Sequence, residues 1–322
     1  MTEINPLLAT RVKPGDEYYI FEKDPSVTRE HVYYKTRYGV EIAADLYYAK
    51  DLDKNTKSPA LVIGPPFGGV KEQGPGIYAN QLAQRGFVVV AFDPAYHGYS
   101  GGYPRYSGSP DTYVEDFSAA VDYLGTVDFV DRNRIGGLGI CASGGFVLSA
   151  AAQDSRLKAV ATSVMYDIPH LANLATGETR AKQVAQFSQQ RWTDRTAAPQ
   201  NYPSHPVTEY PAGLDAVSKE FFSFYGFKRG WHPHALKNIT YVSNLSFMNF
   251  EATRRINEIA PRPIFMVTSA EAHSKAFTDE TFARLNQPKY LDVEPHGQHV
   301  DFYDNIDIIP FDKFEKFFKE NL

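Results

Sequence analysis

Arg134-Ile135-Gly136-Gly137-Leu138-Gly139-Ile140-Cys141-Ala142-Ser143-Gly144-Gly145-Phe146-Val147-Leu148-Ser149-Ala150-Ala151-Ala152 holds the only cysteine of the chain. Residues 134–140 read as a short buried strand and residues 146–152 as a helix. Cys141 therefore falls on a strand-to-helix elbow, which exposes its central side chain to attack a carbonyl. Gly139, Ala142, Ser143 and Gly144 supply the small neighbours that such a turn tolerates. The first turn of the helix would aim unpaired N–H groups and a positive dipole end at the sulfur, a setting that favours thiolate. Cys141 is thus the candidate nucleophile. Lone cysteines are often inert core fillers, but a filler needs no small residues two positions away on both sides. Ser143 is the rival, with Cys141 two before it and Gly145 two after; it lies a residue or two inside the helix, away from the elbow tip.

Around this elbow the chain repeats strand and helix signals. Residues 30–36 and 40–49 alternate about Tyr38-Gly39 and read as an antiparallel hairpin. Residues 60–64 and 87–92 are continuous apolar runs, separated by a helical pattern over residues 77–83 that stops at Arg85-Gly86. A helix is expected over 114–124, strands over 157–164, 263–267 and 290–293, and an amphipathic helix over 311–322. Unbroken apolar strands alternating with helices predict an α/β fold: a mostly parallel sheet covered on both faces, with the hairpin at one edge. Residues 167–259 break the rhythm. They are polar and helix-like near Thr179–Trp192, then carry Pro199, Pro203, Pro206 and Pro211, then the aromatic run Phe221-Phe222-Ser223-Phe224-Tyr225. An insertion at this place can form a lid over a site at the sheet's C-terminal edge. The expected organisation is a core of residues 1–166 and 260–322 with a helical lid of residues 167–259.

The bulk numbers narrow the class. A chain of 322 residues can bury one large core plus an insertion. Its 43% hydrophobic and 22% charged residues are ordinary for a folded protein. A formal charge of −5 without a Lys/Arg cluster argues against a nucleic-acid partner. One cysteine excludes an internal disulfide framework. Met1-Thr2-Glu3-Ile4-Asn5-Pro6 has no cationic start with an apolar stretch, so no membrane partner and a cytoplasmic location are expected. A small acyl molecule is the expected partner, and a homo-oligomer is compatible with these numbers.

A cysteine nucleophile needs a base oriented by a third group and donors for an oxyanion. His299, in Glu294-Pro295-His296-Gly297-Gln298-His299-Val300-Asp301, follows the last expected strand and so shares an edge with Cys141. His296 competes; His299 is preferred because Gly297 lets the loop turn before it. Gly64-Pro65-Pro66-Phe67-Gly68-Gly69 follows the first long apolar strand, and the N–H groups of Phe67 and Ala142 are the expected oxyanion donors. Lys71 and Glu72 read as a surface pair without a role. Trp231-His232-Pro233-His234 and His296 to His299 have metal-like spacing, but Pro233 disrupts a common face, and neither a metal nor another cofactor is expected.

Elbow, oxyanion loop and histidine loop in this order resemble an α/β hydrolase, and the Gly-x-Cys-x-Ser-Gly-Gly elbow resembles the dienelactone-hydrolase-like branch, whose nucleophile is cysteine. The resemblance runs from about Val40 to the C-terminus and is weakest over the lid. Asp93-Pro94-Ala95-Tyr96-His97-Gly98-Tyr99-Ser100-Gly101-Gly102 is similar to the superfamily's stretch after the fourth strand, with His97 read as structural. The resemblance implies an acid that orients the base. Its expected place, after the strand near Thr268, is occupied by Ala272, so Glu271 and Asp167 are the candidates, and Asp279 is read as a helix cap. The implied activity is hydrolysis of esters, thioesters or lactones through an acyl-cysteine, because a thiolate suits activated acyl donors. Acyl transfer on the same site and a catalytically inactive ligand-binding protein are the alternatives. A prolyl dipeptidase-type peptidase shares this fold and is the weaker reading, since that class relies on serine.

Overall fold

The computed structural model describes residues 5–13, 15–192, 203–235 and 239–322. Met1 to Ile4 and Pro199 lie outside them. The chain opens with β1 (Val27–Lys35), β2 (Glu41–Ala49), β3 (Ser58–Gly64), α1 (Gly74–Ala83) and β4 (Val88–Phe92). There follow α2 (Pro110–Leu124), β5 (Val130–Ile140), α3 (Ala142–Gln153) and β6 (Leu157–Ser163). Between β6 and the next strand come α4 (Ile168–Ala172), α5 (Gly177–Gln190), α6 (Ala216–Tyr225) and α7 (Asn244–Phe247). The chain closes with β7 (Ile264–Ser269), α8 (Lys275–Arg284), β8 (Lys289–Glu294), α9 (Asp301–Asp304) and α10 (Phe311–Asn321).

The sheet has the order β1-β2-β4-β3-β5-β6-β7-β8. The β1–β2 and β2–β4 pairings are antiparallel and the rest are parallel. This is the mostly parallel sheet with an edge hairpin that the patterns predict, and Gly39, at φ +79°, turns the hairpin. Strands β3 and β4 are apolar runs because both their faces are covered. On one face α10 lays down Phe311, Phe314, Phe317 and Phe318, with Phe314 against Phe265 of β7 at 5.5 Å between ring centroids. Burying each such ring contributes about 1.5–3 kcal/mol. Among the described residues no helix is long and apolar enough to cross a membrane.

The order of strands also decides where a ligand can sit. From β3 the chain moves to β4 on one side and then returns to β5 on the other. Loops leaving the C-terminal ends of β3 and β5 therefore diverge, and the crevice between them is the switch point where ligands bind in open α/β sheets. The two loops that leave those strands are 64–73 and the Cys141 elbow.

Candidate active site

Cys141 has φ +55° and ψ −121°. For a residue with a Cβ this is a sparsely populated conformation that costs on the order of 1–3 kcal/mol. The backbone holds it there: Cys141 N–H donates to Ser163 O at 2.9 Å, and Cys141 O accepts from Gly144 at 2.9 Å and Tyr166 at 2.8 Å. Gly139 is required by close approach, since a Cβ there would stand 2.0 Å from Ser143 O. The sulfur receives hydrogen bonds from the N–H groups of Phe67 and Ala142 and is also bonded to the Tyr303 hydroxyl. Residue 141 is 3% exposed, and burial outweighs these donors, pushing the thiol up to about 11. Burial thus works against the thiolate that the helix N-terminus favours. Desolvation of the charged form is the stronger effect.

Ser143, the rival nucleophile, points elsewhere. Its hydroxyl donates to Pro65 O at 2.5 Å, tying the first turn of α3 to the loop after β3.

His299 is fully buried. Its Nε2 lies 2.9 Å from the Tyr303 hydroxyl and its Nδ1 2.6 Å from Ser274 Oγ. Burial, with His273 nearby, holds its pKa well below the ordinary imidazole value. The His273 ring packs against it at a tilt of 38°, with 4.7 Å between centroids. His273 Nδ1 is in turn 2.8 Å from Glu220 Oε2, and Glu220 Oε1 accepts the Val300 N–H at 3.1 Å. Glu220 stands on α6, so one carboxylate joins that helix to the residue beside His299.

The expected acids are placed elsewhere. Glu271 bonds the Gly297 N–H at 3.0 Å and His296 Nδ1 at 3.3 Å on the surface. Asp167 caps α4 through the His170 N–H at 2.9 Å and accepts from Thr253 at 3.0 Å. Neither reaches Nδ1 of His299, where Ser274 sits in place of a carboxylate. Asp279 also departs from the cap reading: α8 begins at Lys275, and Asp279 pairs with Lys275 across one turn at 2.5 Å. Sequence reasoning missed Ser274 and Tyr303. A hydroxyl did not qualify as an acid, though Ser274 lies two residues past Ala272. Tyr303 carried a signal, because a residue four after His299 on a helical turn shares its face.

Lys71 and Glu72 are the other correction. They are 1% and 0% exposed, not a surface pair. Lys71 Nζ contacts Asp45 Oδ2 at 3.2 Å and also Glu72, while its N–H donates to Asp93 at 2.8 Å. Tyr19, from the segment before β1, covers the group and donates to Asp45 at 2.7 Å. Burial, only partly offset by Lys71, pushes Glu72 up to about 8. His97 is buried, with Nδ1 2.9 Å from Ala95 O and a pKa lowered to about 4 by desolvation.

A cavity of about 430 Å³ opens on Cys141. Its lining comes from Phe67 and Tyr303, from Tyr166, Ile168 and Leu171 at and just before α4, and from Val217, Ser218, Phe221, Phe222 and Tyr225 of α6. Among the described residues its lining holds no charged side chain. A separate polar cavity, lined by Asp167, His170, Arg254 and Arg284 among others, lies beyond α4.

Sheet order, elbow and switch-point crevice define the chain as an α/β hydrolase. It belongs to the X-Pro dipeptidyl-peptidase (S15) family, whose model matches residues 38–219, and so to the hydrolases. The uncharacterized protein PA2218 of Pseudomonas aeruginosa is 43% identical over 94% of this chain and 83% of its own. Its crystal structure superposes with a TM-score of 0.88, at 42% identity over 94% of this chain and 97% of that one. The thiohydrolase aneE of Aspergillus aculeatus is 23% identical over 86% of each chain. The alpha/beta hydrolase GrgF of a Penicillium species shares the fold, with a TM-score of 0.72 and 22% identity over 91% of this chain and 99% of its own.

Proposed function

We propose that the protein hydrolyses ester, thioester or lactone bonds of uncharged, largely apolar acyl groups through an acyl-cysteine intermediate, in the manner of the dienelactone-hydrolase-like branch. What carries this reading is the positive-φ cysteine with two amides directed at its sulfur, at the base of a cavity without charged lining. Cys141 attacks the carbonyl, the Phe67 and Ala142 N–H groups stabilise the tetrahedral oxyanion, and His299 takes the proton. Water then releases the acyl group. The described parts of residues 167–259 act as the lid, since α4 and α6 supply most of the cavity's lining. The thiohydrolase among the relatives supports a thioester substrate, and a reduced thiol suits a cytoplasmic protein.

The family description favours a second reading, release of X-Pro dipeptides from peptide N-termini. A dipeptidyl-peptidase brings a free ammonium close to the scissile bond, and burying that charge requires an anionic partner. No carboxylate lines the cavity among the described residues, and the nucleophile is a thiol, so ester and thioester chemistry is the better fit.

The test is turnover of p-nitrophenyl esters, acyl thioesters and a dipeptide-proline amide by wild type, Cys141→Ala, Cys141→Ser and Ser143→Ala. Loss in both Cys141 variants with Ser143→Ala active is expected. Amide cleavage that survives Cys141→Ala would sink the proposal, and equal inertness of all four proteins would favour a binding protein. Added alcohol or thiol acceptors separate acyl transfer from hydrolysis.

A further inference from the structure

We propose that Tyr303 is a catalytic residue that carries the proton between Cys141 and His299, making a cysteine–tyrosine–histidine relay anchored by Ser274. The inference rests on the acyl-cysteine reading above.

The Tyr303 hydroxyl is the group His299 Nε2 meets, at 2.9 Å, and the same hydroxyl is bonded to the Cys141 sulfur. A phenol has one proton to donate and two lone pairs to accept with. It can therefore accept from the thiol and donate to imidazole at the same time. Ser274 Oγ, 2.6 Å from Nδ1, can accept the Nδ1 proton, which leaves Nε2 as the free base. The phenol is held by close neighbours. Tyr303 is fully buried, with Phe224 edge-on at 5.2 Å between centroids, and the faces and edges of His299 are packed by His273, Tyr166 and Phe221.

The resting site also needs such a path. Burial pushes the thiol up and the imidazole down, and both directions work against a thiolate–imidazolium pair. The proton must leave as the sulfur attacks. In that step the S–C bond forms and the carbonyl π pair moves onto oxygen, held by the Phe67 and Ala142 N–H groups. The thiol proton passes to Tyr303 oxygen while Tyr303's own proton passes to His299 Nε2. Tyrosine is neutral before and after, and the positive charge rests on His299. On collapse the same path runs backwards: Tyr303 protonates the leaving oxygen or sulfur, its C–O or C–S bond breaks, and His299 reprotonates the phenol. Water repeats the two steps on the acyl-cysteine and restores the thiol.

Alkylation by iodoacetamide tests the relay without any acyl substrate, and with one cysteine in the chain a single mass increment reports the site. Wild type, Tyr303→Phe, His299→Gln and the double variant are compared from pH 6 to 10. Each single variant is expected to react at least tenfold more slowly at pH 7.5. The double variant should be no slower than either, because groups acting as one unit do not multiply. Wild-type rates from Tyr303→Phe, or multiplying effects in the double variant, would overturn the relay. Should Tyr303→Phe not fold, alkylation of wild type in H₂O–D₂O mixtures gives the same information: once the thiol's own ground-state isotope fractionation is divided out, a quadratic dependence means two protons in flight, and a linear or flat one overturns the proposal. Tyr303-dependent alkylation with no ester, thioester or lactone turnover would support the relay while overturning the hydrolase reading.

Discussion

Replacing Glu220 by alanine removes the one carboxylate that ties α6 to the histidine loop. Two hydrogen bonds vanish, to His273 Nδ1 at 2.8 Å and to the Val300 N–H at 3.1 Å. Bonds to a charged acceptor contribute about 1.5–3 kcal/mol each. Both side chains are close to buried, at 11% and 16% exposure, but not fully, so the low end applies and the pair sums to about 3 kcal/mol. That corresponds to roughly a hundredfold rise in the local opening of α6. Hydrogen exchange of residues 216–225 measures it directly. Because α6 lines the cavity, KM for an acyl substrate should rise more than kcat falls. Glu220→Gln keeps the shape and an acceptor for Val300, so a loss of about 1 kcal/mol is expected. Unchanged exchange over 216–225 in Glu220→Ala, or an equal rise throughout the sheet, would refute the reasoning.

Three more outcomes follow from the same geometry. Cys141→Gly should be more stable than Cys141→Ala by about 1 kcal/mol, because glycine accepts the φ +55° elbow without strain, and equal urea midpoints would contradict that. Lys71→Met strands the Asp45 carboxylate in the interior and should cost about 3–5 kcal/mol, read as a fall in melting temperature. His97 is held neutral with a pKa of about 4 against 6.5 for the free side chain, so the unfolded chain binds its proton first as pH falls. Its stabilising share is intact above pH 6.5 and drops by about 2–3 kcal/mol by pH 4.5. His97→Asn should therefore show a flatter decline of stability between pH 7 and 4.5, and parallel curves would count against it.

The parts of the site read from sequence are those that backbone geometry dictates. A strand that must turn into a helix at one residue needs small neighbours beside it, and those neighbours are adjacent in the chain. The partner of His299 was illegible for the opposite reason. Ser274 is 25 residues away along the chain and carries no charge to mark it. Hydropathy likewise placed Lys71 and Glu72 outside, because the groups that make their burial tolerable come from Asp45 and Asp93, 26 and 22 residues from Lys71. Pairing across such distances leaves no local pattern.

The bond from Ser143 to Pro65 gives the proposed anion pocket a fixed gauge. The two amides that face the sulfur belong to separate segments, one in the loop after β3 and one at the N-terminus of α3, and such segments ordinarily drift independently. Here the hydroxyl one residue beyond Ala142 grips the carbonyl two residues before Phe67. The spacing between the donors is thus set inside the protein before any acyl group arrives. Under the proposed function a substrate would meet a receptacle whose width it does not have to shape, and the work of ordering it would be done at folding rather than at each turnover.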